Sequence, residues 1–231
     1  RFDGAIGTTT RIGGLHVTSS KDVLFANSVK ADGGGIDLTA SGAVDFNQAV
    51  NLIGASGVKI SNGGLLTIAS AADFSLGGPF AQSGAGTVDL GGDITTSNDA
   101  ISFASPVALK NDVSLTSTGG DVHFNGASST ISGDYLLTIA AGAGDVTFDA
   151  AVGVGTPLSG LTVVSSHDLS FADAMHLDDQ GLSLKATGNV AFNAAVTTTN
   201  GGSMTVTNTG VLTIADAANL DLDGDFLQNG L

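Results

Sequence analysis

The residues of this chain that could carry chemistry are four histidines and a repeating set of aspartates. A histidine that binds metal or moves a proton needs other groups converging on it. His123 alternates with Val122 and Phe124, which places it on the outward side of a strand. His167 aligns with Lys21, and His176 with Lys30, in a second copy of the same sequence. A catalytic or metal-binding histidine would not be expected to alternate with lysine between copies. Together with His16, all four are read as surface residues.

Asp121, Asp145, Asp168 and Asn189 hold one place in four successive units. Carboxylates stacked one strand apart repel unless something else engages them. One arrangement has each Asp hydrogen-bond its own corner backbone in an Asx-turn. The other is a Ca²⁺ ladder, because Ca²⁺ collects carboxylate oxygens. The Ca²⁺-binding nonapeptide is absent from the sequence, so the corner role is expected and Ca²⁺ is the second choice. Asp221-Leu222-Asp223-Gly224-Asp225 resembles the opening of a calcium loop. Phe226 stands where that loop needs Gly, and no Glu supplies the last ligand. The matching run Ser75-Leu76-Gly77-Gly78-Pro79 has no carboxylate.

Glycan-cleaving chemistry needs paired carboxylates, or carboxylates with a base, in one groove. The seven cations, Arg1, Arg11, Lys21, Lys30, Lys59, Lys110 and Lys185, are scattered and mostly not kept between copies. No nucleophile elbow, P-loop or dinucleotide fingerprint occurs. No catalytic, cofactor-binding or metal residue is therefore assigned, and the chain is expected not to be an enzyme. Thr8-Thr9-Thr10, Thr95-Thr96 and Thr197-Thr198-Thr199 do not recur at one place per unit, so an ice-binding threonine file is not expected either.

These residues must be positioned by something, and a short motif does it. Asp145-Val146-Thr147-Phe148 returns as Asp22-Val23-Leu24-Phe25, Ala43-Val44-Asp45-Phe46, Ala100-Ile101-Ser102-Phe103, Asp121-Val122-His123-Phe124, Asp168-Leu169-Ser170-Phe171 and Asn189-Val190-Ala191-Phe192. With Ile or Leu last, it also returns as Leu66-Thr67-Ile68, Val88-Asp89-Leu90 and Leu212-Thr213-Ile214. Alternation puts Val and Phe on one side of a strand and the residue between them on the other. His123 and Thr147 are expected to be exposed.

From Phe2 to Ile214 the intervals of this column are 23, 21, 22, 22, 13, 21, 24, 23, 21 and 22 residues. A second apolar pair, such as Ile36/Leu38 or Leu182/Leu184, and a shorter apolar spot, such as Val50 or Val196, complete each unit. Three strands in so few residues make one coil of a stacked repeat. The fold class is all-β: a right-handed parallel β-helix (β-solenoid) of about ten coils of 21–24 residues. Like side chains stack between coils, so Phe25, Phe103 and Phe148 should all belong to one column. The 13-residue step from Leu90 to Phe103 is too short for a coil, and reads as either a pinched coil or an excursion.

A longer period lies over the short one. Residues 1–85 align without a gap on residues 147–231, with 36 identities in 85 positions. Residues 1–146 form a first super-repeat and 147–231 the start of a second, continuous with it as one rod. The repeat stops short at Leu231, and the chain opens on Arg1, so it reads as a piece of something longer.

Composition bounds the partners. The 231 residues include 34 Gly but only 3 Pro, and no Cys or Trp. Many β-branched residues with little Pro argue for an ordered β protein, and no disulfide or thiolate site exists. The net charge of −15 repels nucleic acid and anionic lipid. No apolar run reaches the length of a membrane span, so no membrane insertion is expected.

Gly120-Asp121-Val122-His123-Phe124-Asn125-Gly126-Ala127, Gly188-Asn189-Val190-Ala191-Phe192-Asn193-Ala194-Ala195-Val196 and Phe80-Ala81-Gln82-Ser83-Gly84 through Ile94-Thr95-Thr96 resemble the repeats of filamentous haemagglutinin-like giant surface proteins of Gram-negative bacteria. The resemblance spans essentially the whole chain. It implies export, an extended rod on the bacterial cell surface, and a structural or adhesive role. The expected partners are host or cell-surface glycans or proteins and neighbouring repeats; separately, Arg1-Phe2-Asp3-Gly4 and Asp225-Phe226-Leu227-Gln228 look like ordinary repeat sequence with unpaired strand edges, so end-to-end self-association is expected. The alternative is a β-helix carbohydrate-active enzyme or a carbohydrate-binding rod.

Overall fold

The computed structural model describes residues 1–230; Leu231, the boundary read from the repeat, lies outside the described residues. Among the described residues all twenty-eight regular elements are strands, and every pairing between them is parallel. The chain winds as a β-solenoid with three faces. Alternation of apolar and polar residues dictates the winding: a three-residue strand buries two side chains, and only a partner strand one coil away can satisfy its backbone.

The first face holds ten strands: Leu15–Ser20, Ile36–Ala40, Val58–Asn62, Phe80–Ser83, Ile101–Phe103, Val122–Phe124, Val146–Phe148, Leu169–Phe171, Val190–Phe192 and Leu212–Ile214. Ten strands at about 4.8 Å spacing place the first and last roughly 43 Å apart. The second face begins with Val23–Phe25, Val44–Phe46, Leu66–Ile68, Val88–Leu90, Val107–Leu109 and Ile131–Ser132. Single bridges from Ile131 to Val152 and from Val152 to Met175 carry it upward. The third face runs from Val29–Ala31 through Val50–Leu52, Phe74–Leu76, Ile94–Thr96, Val113–Thr116 and Leu136–Ala140 to Leu158–Ser165. The long strand Met175–Ala186 then turns the corner unbroken, pairing with Val196–Thr198 at its start and with Met204–Asn208 at its end.

The expected core is there. Val23, Phe25, Val122, Phe124, Val146, Phe148, Val190 and Phe192 are all buried. The outward residues between them are less open than expected. His123 and Thr147 are half-buried, because each sits between its counterparts in the coils below and above.

The single phenylalanine column requires correction. Phe25 and Phe46 lie on the second face, whereas Phe103, Phe124, Phe148, Phe171 and Phe192 lie on the first. Within each stack the strand spacing sets the ring spacing: Phe2–Phe25 and Phe25–Phe46 centroids are 5.0 and 4.8 Å apart. From Phe103 to Phe192 the rings again stack, at 4.9–5.5 Å. Phe74 on the third face and Phe80 on the first link the two stacks across the interior by edge-on and tilted contacts. Each such ring pair adds about 0.5–1.5 kcal/mol beyond its area burial.

The same finding settles the 13-residue step, which is neither a 13-residue coil nor an excursion. The coils here shorten only to 19 and 20 residues, below the expected 21–24, and no segment between Leu90 and Phe103 leaves the rod. Val88 pairs with Val107, nineteen residues on, and Phe80 pairs with Ile101, twenty-one residues on. The motif itself moves from the second face to the first. Gly91-Gly92-Asp93 and Ile94–Thr96 occupy the third face and its corner between them.

The super-repeat is therefore out of step with the coil. Val23 lies on the second face, but its counterpart Leu169 lies on the first. Counting up the second face from Val23 gives six coils to Val152, and Leu169 lies two faces further on. The 146-residue offset thus spans six and two-thirds coils, and equivalent residues of the two copies sit one face apart.

Candidate functional sites at the corners and on the outward faces

The aspartates line the corners, but not as Asx-turns on their own backbone. The Asp145 N–H donates to Asp121 Oδ1 at 2.9 Å, and the Asp168 N–H to Asp145 Oδ1 at 2.9 Å. The ladder continues from the Asn189 N–H to Asp168 at 2.6 Å and from the Val211 N–H to Asn189 Oδ1 at 2.9 Å. Each side chain accepts from the coil above. The motif recurs at the other corners, where Ala43 donates to Asp22, Asp93 to Asp73, Ser114 to Asp93 and Leu136 to Asp112. The physical reason is that the chain bends at these points, and the corner N–H needs an acceptor that the neighbouring backbone does not supply. Every one of the 22 acidic residues is Asp and none is Glu. A single methylene suits a reach of one coil.

The histidines remain at the surface. His167 Nδ1 lies 3.1 Å from Asp145 Oδ1 and 3.8 Å from Asp168 Oδ1. These three donor atoms lie within 4.8 Å of one another, the one grouping among the described residues with the spacing of a metal site. Both carboxylate oxygens facing His167 already accept a backbone N–H, and all three side chains are about half exposed. His123 Nε2 lies 3.1 Å from Asp149 Oδ2, which also accepts the Gly126 N–H at 2.9 Å. His16 stands in line with Asp37, Lys59 and Ala81 along a shallow groove of about 280 Å³ beside Gly34, Gly57 and Pro79. His176 points outward next to Thr197.

The calcium-loop-like run lies at a corner near the top of the rod. Asp221 and Asp223 line a polar depression of about 430 Å³ with Thr197, Thr199 and Asn200. Asp223 Oδ2 accepts the Gly201 N–H at 2.7 Å, and its own N–H donates to Thr198 Oγ1 at 3.1 Å. Asp225 N–H donates to Ser203 Oγ, so the three aspartates do not converge on one point through these bonds.

One constellation was missed in the sequence. Gln82 is buried on the inward side of the first face. Its Nε2 donates to Asn62 Oδ1 at 2.8 Å and to Ser105 Oγ at 3.0 Å, and its Oε1 accepts the Ala104 N–H at 3.2 Å. Asn62 Nδ2 donates to the Gly64 and Thr87 carbonyls, and Ser105 Oγ to the Gly84 carbonyl. The signal was present: Asn62 and Gln82 recur as Asn208 and Gln228, which pair at 3.3 Å on the third face.

No known protein family, curated protein or solved structure matches the chain.

Proposed function

We propose that the chain is a structural segment of a large exported surface protein, a stiff β-helical stem or fibre-forming piece on the bacterial cell surface. One observation carries this reading: what the two copies keep, and where. Over the strands from Leu15 to Ser83, fifteen of twenty-three inward pairs are identical, including Phe25/Phe171, Phe46/Phe192 and Gln82/Gln228. Of fifteen outward strand pairs only Ser19/Ser165 and Thr67/Thr213 are identical. Lys30/His176, Asp37/Ser183, Asp45/Ala191 and Lys59/Thr205 change size or charge. Corner residues are kept, as in Asp3/Asp149, Asp22/Asp168 and Asn47/Asn193. Repetition thus preserves what propagates the coil and leaves the faces free to vary.

A repeated binding or catalytic surface would keep its outward residues instead. Adhesion, where it occurs, belongs to individual stretches of the surface rather than to the repeat. The test replaces Lys30, Asp37, Asp45 and Lys59 together by Ser. A stem keeps its circular dichroism spectrum and rod length in electron micrographs, and neither the parent nor the variant releases new reducing ends or unsaturated products from neutral or acidic polysaccharides. Turnover that one carboxylate replacement abolishes would reject the structural role.

A further inference from the structure

We infer that Asn62, Gln82 and Ser105 form a register lock, which holds the coils in one alignment where the sequence motif changes face. Apolar residues leave part of the alignment undecided. Side chains alternate with period two, so a slip of one residue turns the core outward and is strongly resisted, while a slip of two keeps every apolar residue inside. On the neighbouring face the upper strand overhangs the lower one by two residues. Ile94 pairs with Leu115, whereas Val113 pairs with Leu137 and has no partner on Ile94–Thr96. By alternation alone, the core in this region would tolerate a two-residue slip.

The first face needs a stricter rule at the same height. Its inward column reads Leu38, Ile60, Gln82, Phe103 and Phe124, so Gln82 stands where aliphatic residues give way to phenylalanine. The hydrogen bonds run diagonally. Gln82 is level with Ile60 and Phe103, yet it bonds Asn62 and Ser105, each two residues further along. A two-residue slip breaks one of these diagonals and leaves a buried amide without its partner, a penalty that falls on the slipped alignment alone. Buried polar groups that fix register at a cost in stability are well attested in other repeat folds. The second copy repeats the diagonal pair: Gln228, exposed in the last strand, donates to Asn208 on a different face, so the pair travels with the sequence repeat.

The test uses the cysteine-free 231-residue chain with pairs of introduced cysteines. In the native alignment the outward residues Ala81 and Ser102 are opposite each other, and Ala81 and Ala104 are offset by two. Ala81→Cys with Ser102→Cys should therefore cross-link under mild oxidation, and Ala81→Cys with Ala100→Cys or Ala104→Cys should not. Adding Gln82→Leu should raise cross-linking of one offset pair at least about tenfold, with the unfolding midpoint unchanged or higher. Asn62→Ala with Ser105→Ala, which keeps Gln82 but removes its two side-chain partners, should also admit the offset pair. Exclusive cross-linking of the native pair in both variants would overturn the lock. So would loss of cooperative unfolding in Gln82→Leu, which would make the amide a stabilising element instead.

Discussion

Replacing Phe148 by alanine tests the interior directly. Phe148 is 1% exposed and stacks between Phe124 and Phe171, with centroids 5.0 and 4.9 Å away. Phe to Ala in a packed core costs about 3–5 kcal/mol, from lost transfer energy and from the cavity that remains. The cavity here cannot collapse easily. The strands above and below are held at their spacing by backbone ladders from Val122–Phe124 to Val146–Phe148 and from there to Leu169–Phe171. The expected loss is therefore in the upper half, about 4–5 kcal/mol. Urea unfolding followed by circular dichroism reads it, with Thr147→Ala as the outward control, expected within about 0.5 kcal/mol. Because each coil contacts only its neighbours, the damage is local, and a lower m-value with a split transition is expected if the rod unfolds in two parts. A loss under about 1 kcal/mol for Phe148→Ala, no larger than a surface change, would refute the stack.

Three further outcomes are expected. Asp145→Ala removes the acceptor of the Asp168 N–H and should cost about 1 kcal/mol in the same unfolding assay, as loss of a helix cap does. Gly64→Ala places a Cβ 2.8 Å from the Gly42 carbonyl carbon, too close without backbone movement, whereas Gly4→Ala meets nothing within 4 Å. The first should therefore lose about 1–3 kcal/mol and the second almost nothing, by the same melts. The corner aspartates act on backbone N–H groups, so calcium or a chelator at millimolar concentration should leave the melting temperature unchanged; a calcium-dependent rise would restore the Ca²⁺ ladder.

The strands and the inward residues were legible in the sequence because period-two alternation and the coil length are both local signals. Val23/Phe25 or Val190/Phe192 announce a strand and its buried side without reference to anything distant. What was not legible was which face each strand joins. The motif of Val88–Leu90 and that of Ile101–Phe103 have the same pattern, and nothing within either says that one faces the second side of the rod and the other the first. That choice depends on how many residues each intervening corner consumes, a sum over the whole coil. The corner aspartates were identified by their recurrence, but their acceptor role toward the next coil needed the stacking geometry. Gln82 was overlooked because a lone polar residue in a strand reads as outward unless its two diagonal partners are known.

One cross-linking comparison tests the assignment of strands to faces. Asp89 and Ala108 are opposite each other on the second face, while Ser102, thirteen residues from Asp89, lies on the first. Neighbouring parallel strands hold opposite Cα atoms about 4.8 Å apart, within the range a disulfide spans. Asp89→Cys with Ala108→Cys should oxidise to a disulfide in the folded rod, and Asp89→Cys with Ser102→Cys should not. Cross-linking of 89 to 102, with 89 and 108 left reduced, would contradict the change of face and the six-and-two-thirds-coil repeat that follows from it.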